Sequence, residues 1–146
     1  MDAHAALQHM HLFRGADAAD LDAVAAIAEP RSYTAGESIF DHARPADALF
    51  AIVLGTVELR VPGKDLAVVT FASGQTLGEA AFFERTPRKV TAHTREQTRV
   101  LRFPFDKLDA VLAQRPGLAL CFYRNAAAFF AHHAALLAAE RERPFF

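Results

Sequence analysis

The residues between Gly78 and Ala92, GEAAFFERTPRKVTA, are those whose types and order could do chemistry. A glycine and an acid open the segment, an apolar turn of helix follows, and Thr86-Pro87 then leads to Arg88 and a β-prone run. Backbone amides at a helix start point outward unsatisfied and carry partial positive charge, so Gly78, Glu79, Ala80 and Ala81 form a candidate anion cradle. Arg88 adds a full charge and forks its N–H donors onto two phosphate oxygens; losing one partner of such a buried pair costs about 2–5 kcal/mol. Glu79 is the acid beside the cradle, and an ionised carboxylate only accepts hydrogen bonds, so its fitting partner is a ribose hydroxyl. Together the two describe a site for a sugar phosphate, and in an empty site they are expected to pair with each other.

Something must hold that segment in place. Ahead of it, Val57, Leu59 and Val61 alternate with Thr56, Glu58 and Arg60, and glycines at 36, 55, 63 and 74 separate short β-prone runs. Strands are predicted at Ser38–Phe40, Leu49–Val53, Thr56–Val61, Ala67–Phe71, Val90–His93 and Arg99–Phe103, an even spacing that suits a small antiparallel barrel or jelly roll. Before them, Leu21, Val24, Ala25 and Ala28 keep helical spacing, with Asp17 as the cap and Pro30 as the stop. After them, Pro104 starts a helix with Phe105, Leu108, Val111 and Leu112 on one face. A second helix runs from Pro116 to Arg143, and at 1.5 Å per residue it spans roughly 40 Å. The predicted fold class is mainly β with flanking α: one domain, with N-terminal helices over residues 1–30, β-structure over 31–103 and C-terminal helices over 104–146.

The last helix carries two apolar seams: Leu118, Phe122, Phe129 and Leu136, and beside them Ala119, Ala126, Phe130 and Leu137. A helix apolar on two faces packs against two things, here its own β-domain and a second copy of the chain, so a homodimer is expected. The opposing reading is a tail lying on one monomer, with Glu140-Arg141-Glu142-Arg143 as a solvated end.

Bulk properties narrow the function. The chain has 146 residues, 52% apolar and 23% charged, with 13 Phe and no Trp, the composition of a globular domain. Sixteen basic and 17 acidic residues give a net charge of -1, which disfavours nucleic-acid binding. The single Cys121 cannot form an internal disulfide, and the N-terminus lacks the basic start and apolar run of a signal peptide, so the cytoplasm is the expected location. The run from Ala126 to Ala139 is too short to span a membrane. His9, His11, His42 and His93 are too scattered for a jelly-roll metal enzyme, so no metal site and no catalytic residue are assigned.

The segment from Gly78 resembles the phosphate-binding cassette of cyclic-nucleotide-binding domains, the β-roll modules of catabolite activators and protein-kinase regulatory subunits. Gly78, Glu79, Pro87, Arg88 and Thr91 match its pattern. The likeness extends through Leu12-Phe13, Tyr33, Gly36-Glu37, Ile39-Phe40, Leu54-Gly55, Gly74-Gln75 and Leu77-Gly78. It implies that Glu79 holds the ribose 2′-hydroxyl, that Arg88 holds the cyclic phosphate and that nearby amides complete the pocket. Two departures stand out: Lys89 follows the arginine where the family has a small residue, and the usual glycine near Ala43 is missing. Lys89 either adds a second charge or points to solvent while its backbone N–H makes the contact. Relatives that take cyclic GMP often have a threonine just after the arginine, so the resemblance favours cyclic AMP as ligand. It also implies that the long helix closes over the base, with Tyr123, Phe129, His132 and His133 as candidate contacts. Many relatives continue into a DNA-reading helix-turn-helix, and only Pro144-Phe145-Phe146 follow the helix here, so the output is expected to pass to another protein. The alternative is a domain that has kept the fold for protein contact and lost the nucleotide.

Overall fold

The computed structural model describes residues 3–63 and 69–141. Two four-stranded antiparallel sheets lie face to face, one ordered β1-β8-β3-β6 and the other β2-β7-β4-β5. The strands are β1 Glu29–Tyr33, β2 Ser38–Phe40, β3 Ala48–Leu54, β4 Thr56–Arg60, β5 Val69–Ala72, β6 Thr76–Leu77, β7 Thr91–Thr94 and β8 Thr98–Pro104. Helices α1 Ala3–Gln8 and α2 Ala18–Ala25 precede them, α3 Glu79–Glu84 interrupts them, and α4 Phe105–Gln114 and α5 Pro116–Arg141 follow.

β3 shows why the layers form. Its seven residues, ALFAIVL, are nearly all buried because the strand is central and covered on both faces. Ala48, Phe50 and Ile52 point between the sheets, where they meet Val57, Leu77, Ala92 and Val100. Leu49 and Ala51 point the other way, with Leu101 and Phe103 of β8, into a second core closed by the helices. Gly55 makes the tight turn into β4 with φ of 105°. A Cβ there would press on the Thr98 hydroxyl and lie 2.7 Å from the Gln97 carbonyl, so no other residue fits.

The strand expectations hold to within a residue or two, and residues 67 and 68 of the fourth lie outside the described residues. Asp17 caps α2 as expected, its carboxylate accepting the Asp20 N–H at 2.8 Å. The helix stops at Ala25, however, and Pro30 lies inside β1, a strand the sequence does not announce. β1 is the outer strand of its sheet, where a residue with no N–H to donate is tolerated.

α5 buries Leu118, Phe122 and Ala126 and leaves Leu120, Tyr123 and Phe130 exposed. The two expected seams are therefore divided differently, with Ala126 on the core side and Phe130 facing out; the Leu136 and Leu137 side chains lie outside the described residues. Asn125 fastens α5 to the N-terminal segment through the Leu12 and Arg14 carbonyls, at 3.0 and 2.8 Å. No described helix is long and apolar enough to cross a membrane.

Candidate functional site

Strand β6 pairs with β3 through Phe50–Leu77 and Ala51–Thr76, which places the next residue, Gly78, at the mouth between the sheets. Gly78 adopts a left-handed conformation, φ 82° and ψ 9°, and turns the chain into α3. The far end of α3 is bolted down by Arg85, whose guanidinium bonds Asp109 of α4 at 2.6 Å and lies 4.6 Å over the Phe82 ring. Thr86 and Pro87 bring the chain back, and Arg88 is then clamped by its backbone. Its N–H donates to the Arg44 carbonyl at 2.9 Å, and its carbonyl accepts the Ala43 N–H at 2.8 Å.

Ala43, near which the resemblance leads one to expect a glycine, takes a left-handed φ of 69°. The chain therefore keeps the turn without the residue that adopts it freely.

The pocket enclosed by this turn measures about 180 Å³. Phe40, Leu59, Phe71 and Leu77 give it apolar walls, and Thr76, Glu79 and Arg88 supply its polar groups, with the Gly78–Ala81 backbone along one side. Arg88 is only 4% exposed. One terminal nitrogen donates to the Ala48 carbonyl, the other reaches the Gly78 carbonyl at a long 3.4 Å, and the guanidinium lies 4.1 Å over the Phe40 ring. Its Nε has no partner. Burial pulls the guanidinium pKa down; Asp47 and Glu79 act against that, and Arg102 reinforces it.

Glu79 and Arg88 do not form the ion pair expected of an empty site. The carbonyl of Ala48, 40 residues earlier on β3, takes the arginine's terminal N–H, so the carboxylate keeps a buried Oε2 with no partner. Burial pushes the Glu79 carboxyl up, while its own backbone N–H, the nearby Thr76 hydroxyl and the Arg88 charge draw it back in part. The Thr76 hydroxyl approaches the carboxyl without completing a hydrogen bond, and it too is buried and unpartnered. Thr76 lines the pocket and is absent from the candidates read from the sequence. A hydroxyl on a two-residue strand carries no pattern to mark it.

Other candidates are placed less centrally. Ala80 and Ala81 line the pocket with Gly78. The Lys89 ammonium turns outward to Glu84 at 2.7 Å, which leaves its backbone nearest the pocket. Thr91 lies one strand position beyond the lining, and its hydroxyl accepts the His42 N–H at 3.0 Å. Tyr123 stands against Phe83, ring centroids 6.0 Å apart, and Phe129 stacks on His11 at 4.3 Å. Phe129 also lines an adjoining cavity that shares Phe71 and Thr76 with the pocket. His132 is exposed on α5, and the His133 side chain lies outside the described residues.

Residues 30–115 match the model of the cyclic nucleotide-binding domain family. The chain belongs to that family. It is 26% identical over 108 residues to the CRP-like cAMP-activated global transcriptional regulator of Mycobacterium tuberculosis, a match covering 72% of this chain and 48% of that one. It is 29% identical over 129 residues to Glutaminase 2 of Bradyrhizobium diazoefficiens, covering 85% of this chain and 20% of the glutaminase. The chain thus spans half or less of these relatives. Among solved structures, the catabolite activator protein of Thermus thermophilus superposes with a TM-score of 0.78 at 23% identity, over 90% of this chain and 62% of that one, a likeness of fold. The family's β-roll, flanked by N-terminal and C-terminal helices, is the architecture described above.

Proposed function

We propose that this cyclic nucleotide-binding domain is a sensor for cyclic AMP, in preference to cyclic GMP, and that it performs no catalysis. One observation carries the reading: Arg88 Nε, Glu79 Oε2 and Thr76 Oγ1 are buried without partners and line one pocket. Each unsatisfied group costs about 1–3 kcal/mol. A ligand with one anionic group and one sugar hydroxyl supplies what all three lack, with phosphate at Arg88 and the cradle amides, and ribose at Glu79 and Thr76. The preference for the adenine nucleotide rests on the residue after the arginine, which is Lys89, engaged with Glu84, and not a threonine. The apolar wall of Phe40, Leu59 and Phe71 offers the base surface to pack on.

The pocket is smaller than the roughly 300–1,000 Å³ of common ligand sites, so binding entails movement of the cassette. α3 carries both Glu79 and Phe83, and the Phe83 ring touches Phe122, Tyr123 and Phe130 of α5 at 5.7, 6.0 and 5.8 Å. A shift of α3 toward nucleotide is transmitted to α5 through that aromatic group, and the population shifts to the state in which α5 closes on the base. The exposed Leu120, Tyr123 and Phe130 then form the surface for a second copy of the chain, and a protein partner in the cytoplasm receives the signal.

A second reading has its own support. Arg88 already spends its terminal donors on the Ala48 and Gly78 carbonyls and its face on Phe40, as a domain retained for protein contact would. Hydrogen exchange across α3 and α5 separates the two. Added protection with cyclic AMP supports the sensor; unchanged exchange at saturating nucleotide supports the contact module.

A further inference from the structure

The wall that Arg88 and Phe40 contribute to the nucleotide pocket has another side. Between β1, β2, the loop after β2, and β8 lies a cavity of about 320 Å³ into which four arginines converge, Arg31, Arg44, Arg88 and Arg102, opposed by Asp41 and Asp47. We propose that this cavity is a second anion site, taking a soluble ligand with two adjacent phosphoryl groups, and that it competes with the nucleotide pocket for Arg88.

The charges are unevenly paired. Arg31 and Arg102 share Glu29, at 3.0 and 2.7 Å, and Arg102 also bonds Asp47 at 3.0 Å. Among the described residues no carboxylate forms an ion pair with Arg44 or Arg88, and the charges of Asp47 and Glu79 act on Arg88 only from beyond ion-pair distance. Their backbones are tied together, the Arg44 carbonyl accepting the Arg88 N–H at 2.9 Å, which roots both side chains beside the cavity. Burial is the largest influence on the Arg88 guanidinium and lowers its pKa; Asp47 and Glu79 raise it, and Arg102 lowers it. An anion between Arg44 and Arg88 takes the place of the missing carboxylate: the Arg44 fork suits one phosphoryl group, and the Arg88 N–H groups not given to the Ala48 and Gly78 carbonyls suit the other. Asp47, 78% exposed, must give up its bond to Arg102 to turn aside into solvent. Tyr33 and Phe40 line the same cavity. The wider groove beside α4 offers no such surplus, since Arg85 pairs with Asp109 and Lys107 lies 3.7 Å from Glu29.

Because Arg88 lines both spaces, an anion outside draws its guanidinium away from the nucleotide phosphate, and by linkage the nucleotide weakens the outer ligand equally. This coupling rests on the nucleotide reading; the outer site does not. The test is calorimetry of the full chain with sodium pyrophosphate at low ionic strength, alone and with saturating cyclic AMP. Arg44 is exposed, so Arg44→Gln leaves the fold intact, and an unchanged melting curve checks this. Saturable pyrophosphate binding, weakened about tenfold or more in Arg44→Gln, is expected from the loss of charged hydrogen bonds. Cyclic AMP affinity is expected to fall about fivefold or more when pyrophosphate is saturating, the low end of site–site coupling. No saturable binding, or equal binding in Arg44→Gln, overturns the outer site. Binding that depends on Arg44 and leaves cyclic AMP affinity unchanged overturns the shared arginine. If cyclic AMP itself fails to bind, the nucleotide reading falls and the pyrophosphate titration still decides the outer site.

Discussion

Replacing Gly78 by alanine separates two things that a glycine at the head of the cassette does. Its φ of 82° is left-handed, which costs a side-chain-bearing residue about 1–2 kcal/mol. The new Cβ would also lie 2.5 Å from Arg88 Nη1 and 3.4 Å from both Arg88 Cζ and the Ala48 carbonyl. Ala48 sits on a central strand and cannot retreat, so the guanidinium must yield, although its bond to the Ala48 carbonyl and its seat on Phe40 hold it. Losing one charged hydrogen bond adds about 1.5–3 kcal/mol, for a total of roughly 2.5–5 kcal/mol. For a chain of this size, each kcal/mol lowers Tm by about 2–4 °C. The control is Gly36→Ala, where φ is 83° but nothing lies within 4 Å of the added Cβ, so it carries the backbone cost alone. Thermal melts followed by circular dichroism should place Gly78→Ala well below Gly36→Ala, and only the former should weaken cyclic AMP binding. Equal losses in the two variants would refute the placement of Arg88 against Gly78.

Ala43→Gly relieves a left-handed alanine, and after the extra chain entropy of glycine a gain of about 0.5–1 kcal/mol is expected, read as a higher Tm. Glu79→Gln tests the buried carboxyl by pH. Burial raises its pKa, so the proton-linked stability is fully present below the ordinary 4.5 and is lost as pH rises through the folded value. Melts should therefore show the Gln variant gaining on the parent at about pH 8 relative to about pH 4; a constant difference across that range would contradict the assignment. Phe83→Leu keeps apolar bulk and removes ring–ring contacts to α5 worth about 0.5–1.5 kcal/mol each. Cyclic AMP affinity should change little while the exchange response of α5 shrinks, and an undiminished response would show that Phe83 is not the link.

The cassette was legible in the sequence because Gly78, Glu79, Pro87 and Arg88 do local work: a turn, a helix start, a second turn and a charge. The central strands were legible for a different reason, since β3 and β4 carry enough apolar residues to reveal their buried faces. β1 was hidden because Glu29-Pro30-Arg31-Ser32-Tyr33 has no apolar alternation, and its pairing is dictated by β8, some 70 positions later. The same distance effect explains Arg88: the carbonyl that displaces Glu79 as its partner comes from Ala48. On α5 both apolar faces could be seen, but the choice of Ala126 over Phe130 for the core depends on the 3-10 turn His11–Phe13, against which the helix lies. Lys89 could not be aimed from sequence at all, because Glu84 reaches it only once α3 has formed.

The central claim is that the polar groups of this pocket take a cyclic ribose phosphate, and calorimetric titration of the ligand-free chain with cyclic AMP tests it most directly, with cyclic GMP and Arg88→Ala alongside. The expected result is saturable binding at micromolar concentration or tighter, weaker with cyclic GMP and reduced by about thirtyfold or more in Arg88→Ala, in keeping with the loss of a buried charge contact. Absence of binding by either nucleotide, or equal binding by the Arg88 variant, would contradict it.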